Sequence, residues 1–345
     1  MRRNKLTLQE TFRFEAGGEV DNLEIVYHTS DREYSKDEKV VWICHALTAN
    51  SDPEDWWPTL VGKGMLIDTD KYYVVCVNML GSPYGTSGPS TIDPKTGRPY
   101  FLTFPKVTVR DIISTTIAVR KHLGIESVDF LLGSSIGGFQ ALEWAITEPD
   151  VIKNAMFMAT TARSSAYLTA YEETQRMALE ADQTFREAKD LNGGKAGLMC
   201  ARAIAVISYR YYDGYNLTQT ETDENSMFAN RACTYQQHQG HKLADRFDAY
   251  SYWYLANSLD SHNVGRYRGG VAHALSTIKA HSTVVAIDTD CIFPAKDMKV
   301  MATQIPGAVY HEITSRFGHD GFLLETEQLS SIMRPLLQDI FATER

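Results

Sequence analysis

The sequence predicts an α/β fold: a mostly parallel sheet with helices on both faces, interrupted by an inserted helical lid. Three observations carry that expectation. Short, continuous apolar runs rich in Val and Ile recur at Val40 to Cys44, Tyr73 to Val77, Val128 to Leu132, Ala155 to Met158 and Val284 to Ile287. Runs of this length that do not alternate with polar residues fit strands buried on both faces. Helix-like segments separate several of them, and strands alternating with helices build parallel sheets. Between about 163 and 280 the strand signal stops, and eleven of the eighteen tyrosines fall between 163 and 275.

The first thirty residues alternate apolar and polar side chains, as in Phe12/Phe14 and Leu23/Ile25/Tyr27, with Gly17-Gly18 between the two runs. This predicts an opening antiparallel hairpin. The clearest helix is 108 to 123: Val109, Ile112, Ile113, Thr116 and Ile117 fall on one face, and Thr108 with Asp111 supplies a capping pair. Ala170 to Ala188 and Lys195 to Ser208 read as helices of the insertion. With no repeat, low-complexity tract or flexible linker, the expected organisation is a core of 1–162 and 281–345 split by a packed helical lid of 163–280. An insertion of this kind is a common cover for a site at strand ends.

The 345 residues, 43% hydrophobic and 22% charged, suffice for a globular core. A net charge of −9 argues against a nucleic-acid groove or an anionic membrane surface as partner, since both attract basic patches. Nowhere do 18 apolar residues run together, and the basic N-terminus leads into Gln9, Glu10 and Thr11, so neither a membrane span nor a signal peptide is expected. Five cysteines, Cys44, Cys76, Cys200, Cys233 and Cys291, are scattered without C-x-x-C spacing, which fits buried thiols in a reducing, cytoplasmic setting and no zinc cluster.

The strongest local signal is Gly133-Ser134-Ser135-Ile136-Gly137-Gly138, directly after one apolar run and before the helix-like Phe139 to Ala145. It is G-x-S-x-G in a strand-turn-helix setting, where small residues must flank the serine and its Oγ is left exposed above the sheet. A serine alkoxide is not available at neutral pH, so a base and an orienting carboxylate are needed. Of ten histidines, His319 follows the last strand-like segment in the loop where this arrangement places a base; His311 reads as a strand side chain, and His45 precedes the serine. The run ending at Ile287 leads into Asp288-Thr289-Asp290, and Asp290 is favoured over Asp288 because the acid lies in the loop beyond the strand. The order Ser135, Asp290, His319 is that of the α/β-hydrolase fold. Two backbone N–H groups are expected to hold an oxyanion, those of Ile136 and of Leu47 in His45-Ala46-Leu47-Thr48.

Taken with Asn78-Met79-Leu80-Gly81, Tyr84-Gly85-Thr86-Ser87-Gly88-Pro89-Ser90, Phe104-Pro105, Thr108-Val109-Arg110-Asp111, Gln140-Ala141-Leu142-Glu143-Trp144, Thr289-Asp290 and Gly318-His319-Asp320-Gly321-Phe322-Leu323, the chain resembles the homoserine O-acetyltransferase family over most of its length. The resemblance implies a cytoplasmic homodimer without a permanently bound cofactor or metal, taking acetyl-CoA as co-substrate and L-homoserine as acceptor on the route to methionine. It further implies that Arg210 holds the amino-acid carboxylate, for which guanidinium geometry is suited, and that Asp320 meets the ammonium. The family elbow is usually Gly-Gly-Ser-Met-Gly-Gly; here Ser134 and Ile136 depart from it, and Ala49 stands where a glycine commonly follows. Those departures bear on the acyl donor more than on the reaction type; the alternatives are a succinyl-CoA donor or an L-serine acceptor with the same mechanism, or a plain serine esterase.

Overall fold

The computed structural model describes residues 1–342. The chain opens with β1 (Arg2–Thr7), a small hairpin of β2 (Phe12–Arg13) and β3 (Glu19–Val20), and β4 (Glu24–Thr29). After β5 (Val40–Cys44), α1 (Pro53–Trp56) and β6 (Tyr73–Val77) comes a second two-stranded excursion, β7 (Ile92–Asp93) and β8 (Arg98–Pro99). Then α2 (Val109–His122), β9 (Phe130–Ser134), α3 (Ile136–Thr147) and β10 (Asn154–Met158) continue the alternation. The insertion carries α4 (Ala166–Ala181), α5 (Gln183–Glu187), α6 (Lys195–Tyr209), α7 (Tyr212–Gln219), α8 (Asn230–Ala244), α9 (Ala249–Asp260) and α10 (Val271–Ser276). Finally β11 (His281–Ile287), α11 (Ala295–Gln304), β12 (Val309–Ile313), α12 (Gly321–Leu324) and α13 (Thr326–Ala342) complete the chain.

Eight strands form one sheet in the order β1-β4-β6-β5-β9-β10-β11-β12. From β6 to β12 all neighbours are parallel, and β1 and β4 join antiparallel at one edge. The continuous apolar runs divide by alternation between the two faces. Val40, Trp42, Tyr73, Val75, Leu131, Phe157 and Val284 point to one side, where Trp42 meets Trp144 of α3 edge-on at 4.9 Å. Val41, Ile43, Val74, Phe130, Leu132, Met156 and Val285 point to the other, under Trp57, Leu60 and the Leu329, Met333 and Leu337 stripe of α13. Each such side chain contributes about 1.5–3 kcal/mol by leaving water. Parallel direction brings the loops after β5, β9, β11 and β12 to one edge, where sites of open α/β sheets form.

Three expectations need correction. The opening is not one hairpin: the Leu23/Ile25/Tyr27 run pairs with Arg2–Thr7, Tyr27 opposite Asn4, while Phe12–Arg13 pairs only with Glu19–Val20. The first segment hid because it is an edge strand, Arg-Arg-Asn-Lys-Leu-Thr, whose polar side chains stay at the surface. The helix expected over Ala170 to Ala188 is two, because the Asp182 side chain accepts the Thr184 N–H and starts a new one. The strand expected at Val128 to Leu132 lies at Phe130–Ser134 and so runs to the residue before Ser135.

The 108–123 helix forms as expected, with a complete capping box: Thr108 Oγ1 accepts the Asp111 N–H at 3.2 Å and Asp111 Oδ2 accepts the Thr108 N–H at 2.9 Å. Thr108→Ala removes half of that exchange, with an expected loss of about 1 kcal/mol in urea denaturation. An unchanged midpoint and slope would show that the cap contributes nothing.

Candidate active site

Ser135 sits between β9 and α3 at φ 58 and ψ −129, a region that side chains other than glycine rarely enter. The turn holds because its neighbours have no side chain. A Cβ on Gly133 would stand 2.1 Å from the Gly137 carbonyl oxygen, one on Gly137 would stand 2.1 Å from that of Cys44, and one on Gly138 would stand 2.4 Å from the Thr160 side chain. The Ser135 N–H donates to the carbonyls of Met158 and Ala159, at 3.1 Å each, and the Thr160 hydroxyl donates to the Ser135 carbonyl at 3.0 Å. Ser135 is left half-buried, its Oγ at the sheet edge.

His319 meets that hydroxyl. Its Nε2 lies 2.9 Å from Ser135 Oγ, and its Nδ1–H donates to Asp290 Oδ2 at 2.7 Å. Asp290 is anchored in turn, Oδ1 accepting the N–H groups of Ile292 at 2.8 Å and Phe293 at 3.0 Å. Asp288 is elsewhere: its Oδ1 accepts the Ser315 N–H at 3.0 Å and steadies the start of the His319 loop. Burial alone would lower the pKa of His319, but the charge of Asp290, its hydrogen bond and the charge of Asp320 outweigh burial and leave it raised. The imidazole is wedged between the rings of Phe293, Phe322 and Tyr209, at centroid distances of 5.2, 5.3 and 5.7 Å.

Leu47 and Ile136 lie on the two segments that border Ser135, and no hydrogen bond from either N–H is found among the described residues. Their proximity follows from Gly137, which lets α3 touch the Cys44 carbonyl. Three braces fix the loop after β5. The Gln140 amide donates to the His45 carbonyl at 3.2 Å, His45 Nε2 accepts the Met79 N–H at 3.1 Å, and Arg246 donates to the Thr48 carbonyl at 2.6 Å. His45, fully buried, is pushed down to about 4 by desolvation and is therefore a neutral acceptor. This bracing role escaped the sequence reading, where chain order alone set His45 aside; its place directly after a buried strand was the available signal.

Arg210 follows α6 directly, and its Nη2 lies 3.2 Å from Asp320 Oδ2, with a further hydrogen bond to the Tyr235 hydroxyl at 3.2 Å. The two residues are each about a quarter exposed. They come together because the insertion presses onto the loop after β12. A Cβ on Gly318 would lie 2.7 Å from the Tyr209 carbonyl oxygen, a Cβ on Gly214 would lie 1.9 Å from that of Arg316, and Cys291 Sγ donates to the Ser208 carbonyl at 3.2 Å. Beside Arg210 a cavity of about 400 Å³ is lined by Ile207, Tyr211, Tyr212, Tyr215, Asn216 and Gln236. All seven residues expected at the site thus lie at one end of the sheet. Tyr209, against His319, was not anticipated.

The family model of the α/β hydrolase fold matches residues 39–326. A homoserine O-acetyltransferase of Cyclobacterium marinum is 39% identical over 94% of this chain and 92% of its own length, and one of Nostoc punctiforme is 35% identical over 94% and 92%. The crystal structure of homoserine O-acetyltransferase from Bacillus anthracis superimposes with a TM-score of 0.88 at 21% identity, covering 97% of this chain and 96% of that one. Likeness at that identity speaks for the fold alone; the sequence relatives, matched nearly end to end, speak for more. The chain belongs to the homoserine O-acetyltransferase family of the α/β-hydrolase fold.

Proposed function

We propose that this chain moves an acetyl group from acetyl-CoA to the hydroxyl of L-homoserine, on the route to methionine, through an acyl-serine intermediate. The hydrogen-bonded series Ser135, His319, Asp290 carries the reading. His319 takes the proton of Ser135 as Oγ attacks the thioester carbonyl, the N–H groups of Leu47 and Ile136 hold the oxyanion, and the tetrahedral intermediate collapses with loss of the CoA thiolate, which takes that proton. Homoserine then enters with its carboxylate on Arg210 and its ammonium on Asp320. His319 takes the proton from its hydroxyl, which attacks the acyl-serine; collapse frees O-acetylhomoserine and returns the proton to Ser135. Arg210 and Asp320 neutralise each other at 3.2 Å, and a zwitterion can replace that pair with two of its own.

The helices of 163–280 act as the lid, limiting water so that the acyl group goes to the acceptor. Ser134 and Ile136, 2% and 0% exposed, shape the wall near the acyl group in place of the family's usual glycine and methionine. The insertion also leaves Ile207, Tyr212, Leu217, Met227 and Phe228 between 58% and 85% exposed, an apolar surface that supports a homodimer. Sedimentation is expected to give twice the 38.8 kDa chain mass, and a monomer at all concentrations would remove the dimer. Five free thiols support a cytoplasmic setting, which cell fractionation would test. No helix of the described residues is long and apolar enough to cross a membrane.

A panel of acyl-CoAs crossed with L-homoserine and L-serine, read by release of free thiol, tests the activity. Acetyl-CoA with L-homoserine is expected to be fastest, with parallel double-reciprocal lines, and Ser135→Ala is expected to lose roughly 10⁴-fold or more of the rate. Hydrolysis of simple esters faster than transfer would make the chain an esterase, and no thiol release with any pair would defeat the transferase reading. Because His319 must be neutral to accept a proton and its pKa is raised, kcat/KM should rise with pH along a limb centred above the ordinary 6.5. Asp290→Asn removes the charge that raises it, so the limb moves down while the rate falls; a limb at or below 6.5 in the unaltered chain would contradict the assignment.

A further inference from the structure

One acidic side chain inside the insertion has no part in the scheme above. Glu172, on α4, is 3% exposed, and its Oε2 has no hydrogen-bond partner among the described residues. Its Oε1 accepts from the Gln175 amide at 3.3 Å, and Gln175 Oε1 accepts the Tyr252 hydroxyl at 2.5 Å, both partners being fully buried. The Tyr252 side chain neighbours that of Tyr209. Tyr209 ends α6, where its ring lies against His319, its carbonyl backs onto Gly318, and the next residue is Arg210. A series of packed side chains therefore leads from the buried carboxyl of the insertion to the ring beside His319 and the residue before Arg210.

We propose that Glu172 is a positioning residue of the acceptor site: it anchors Gln175 and Tyr252, which fix Tyr209 and, through it, the Arg210 guanidinium that takes the amino-acid carboxylate. The proposal rests on the assignment of Arg210 given above. Buried hydrogen-bonded paths of this kind stiffen the groups at their ends, and a broken member leaves the others unsatisfied. The carboxyl is kept neutral by its surroundings. Burial pushes its pKa up to about 8, Arg176 and the Gln175 hydrogen bond pull the other way, and Asp260 adds to the rise. Facing it are Arg176 and Gln175 from its own helix, Asp260 and Tyr252 from α9, and Tyr209 from α6, with the Arg202 guanidinium 5.5 Å from the Tyr209 ring centre.

Steady-state kinetics of four variants test this. Glu172→Gln reproduces the neutral carboxyl and is expected to keep both KM values within about twofold at neutral pH, whereas Glu172→Ala and Tyr252→Phe break the path and raise KM for homoserine about tenfold with KM for acetyl-CoA changed less than about twofold. Arg210→Ala is the control. If it raises KM for homoserine while Glu172→Ala and Tyr252→Phe do not, the path is overturned and the acceptor reading stands. If it does not, both fall together. A parallel rise in both KM values with a lowered Tm in Glu172→Ala and Tyr252→Phe would reduce Glu172 to a packing role and also overturn the proposal.

Discussion

Everything at this site depends on one backbone position, Ser135 held at φ 58. A non-glycine residue in that region costs on the order of 1–3 kcal/mol and persists only where its surroundings over-determine it. Here the surroundings are β9, α3, β10 and the loop after β5, brought so close that three neighbouring positions have no room for a methyl group. The same closeness that forces the serine up also carries the start of α3 against the Cys44 carbonyl. Ser135 and the backbone of Ile136 and Leu47 beside it are thus one packing solution, not three separate acquisitions.

The second half of the site is assembled by contact between the insertion and the loop after β12. Tyr209 lies against Gly318, α7 against Arg316, and Cys291 bonds to the end of α6, so the group that supplies the base also receives the insertion. The fold itself does not decide between transfer and hydrolysis. Function lies in the groups laid over a shared core, and over this one the charged pair Arg210–Asp320 stands beside His319.

The parts of this architecture that were legible in the sequence are those fixed by short-range rules. Buried parallel strands need unbroken apolar runs, and Val40–Cys44 and Tyr73–Val77 fall where the runs do. The Thr108 cap and the glycine-flanked serine are likewise local. The parts that escaped are decided by partners distant in sequence: β1 is a strand only because β4 lies beside it, and His45 is a brace only because Met79 returns to it. Tyr209 could not be read from its neighbours, since its meaning comes from a ring 110 positions later and a hydroxyl on another helix.

Ser135 and His319 are 184 residues apart, and His319 follows the last strand to be added to the sheet. As the chain is synthesised, β5, β9, β10 and the turn at Ser135 are complete long before that strand exists. Through all of that interval Ser135 lacks its hydrogen-bond partner His319. The contact is thereby tied to completion: the edge strand that closes the sheet also leads into the loop that reaches the serine.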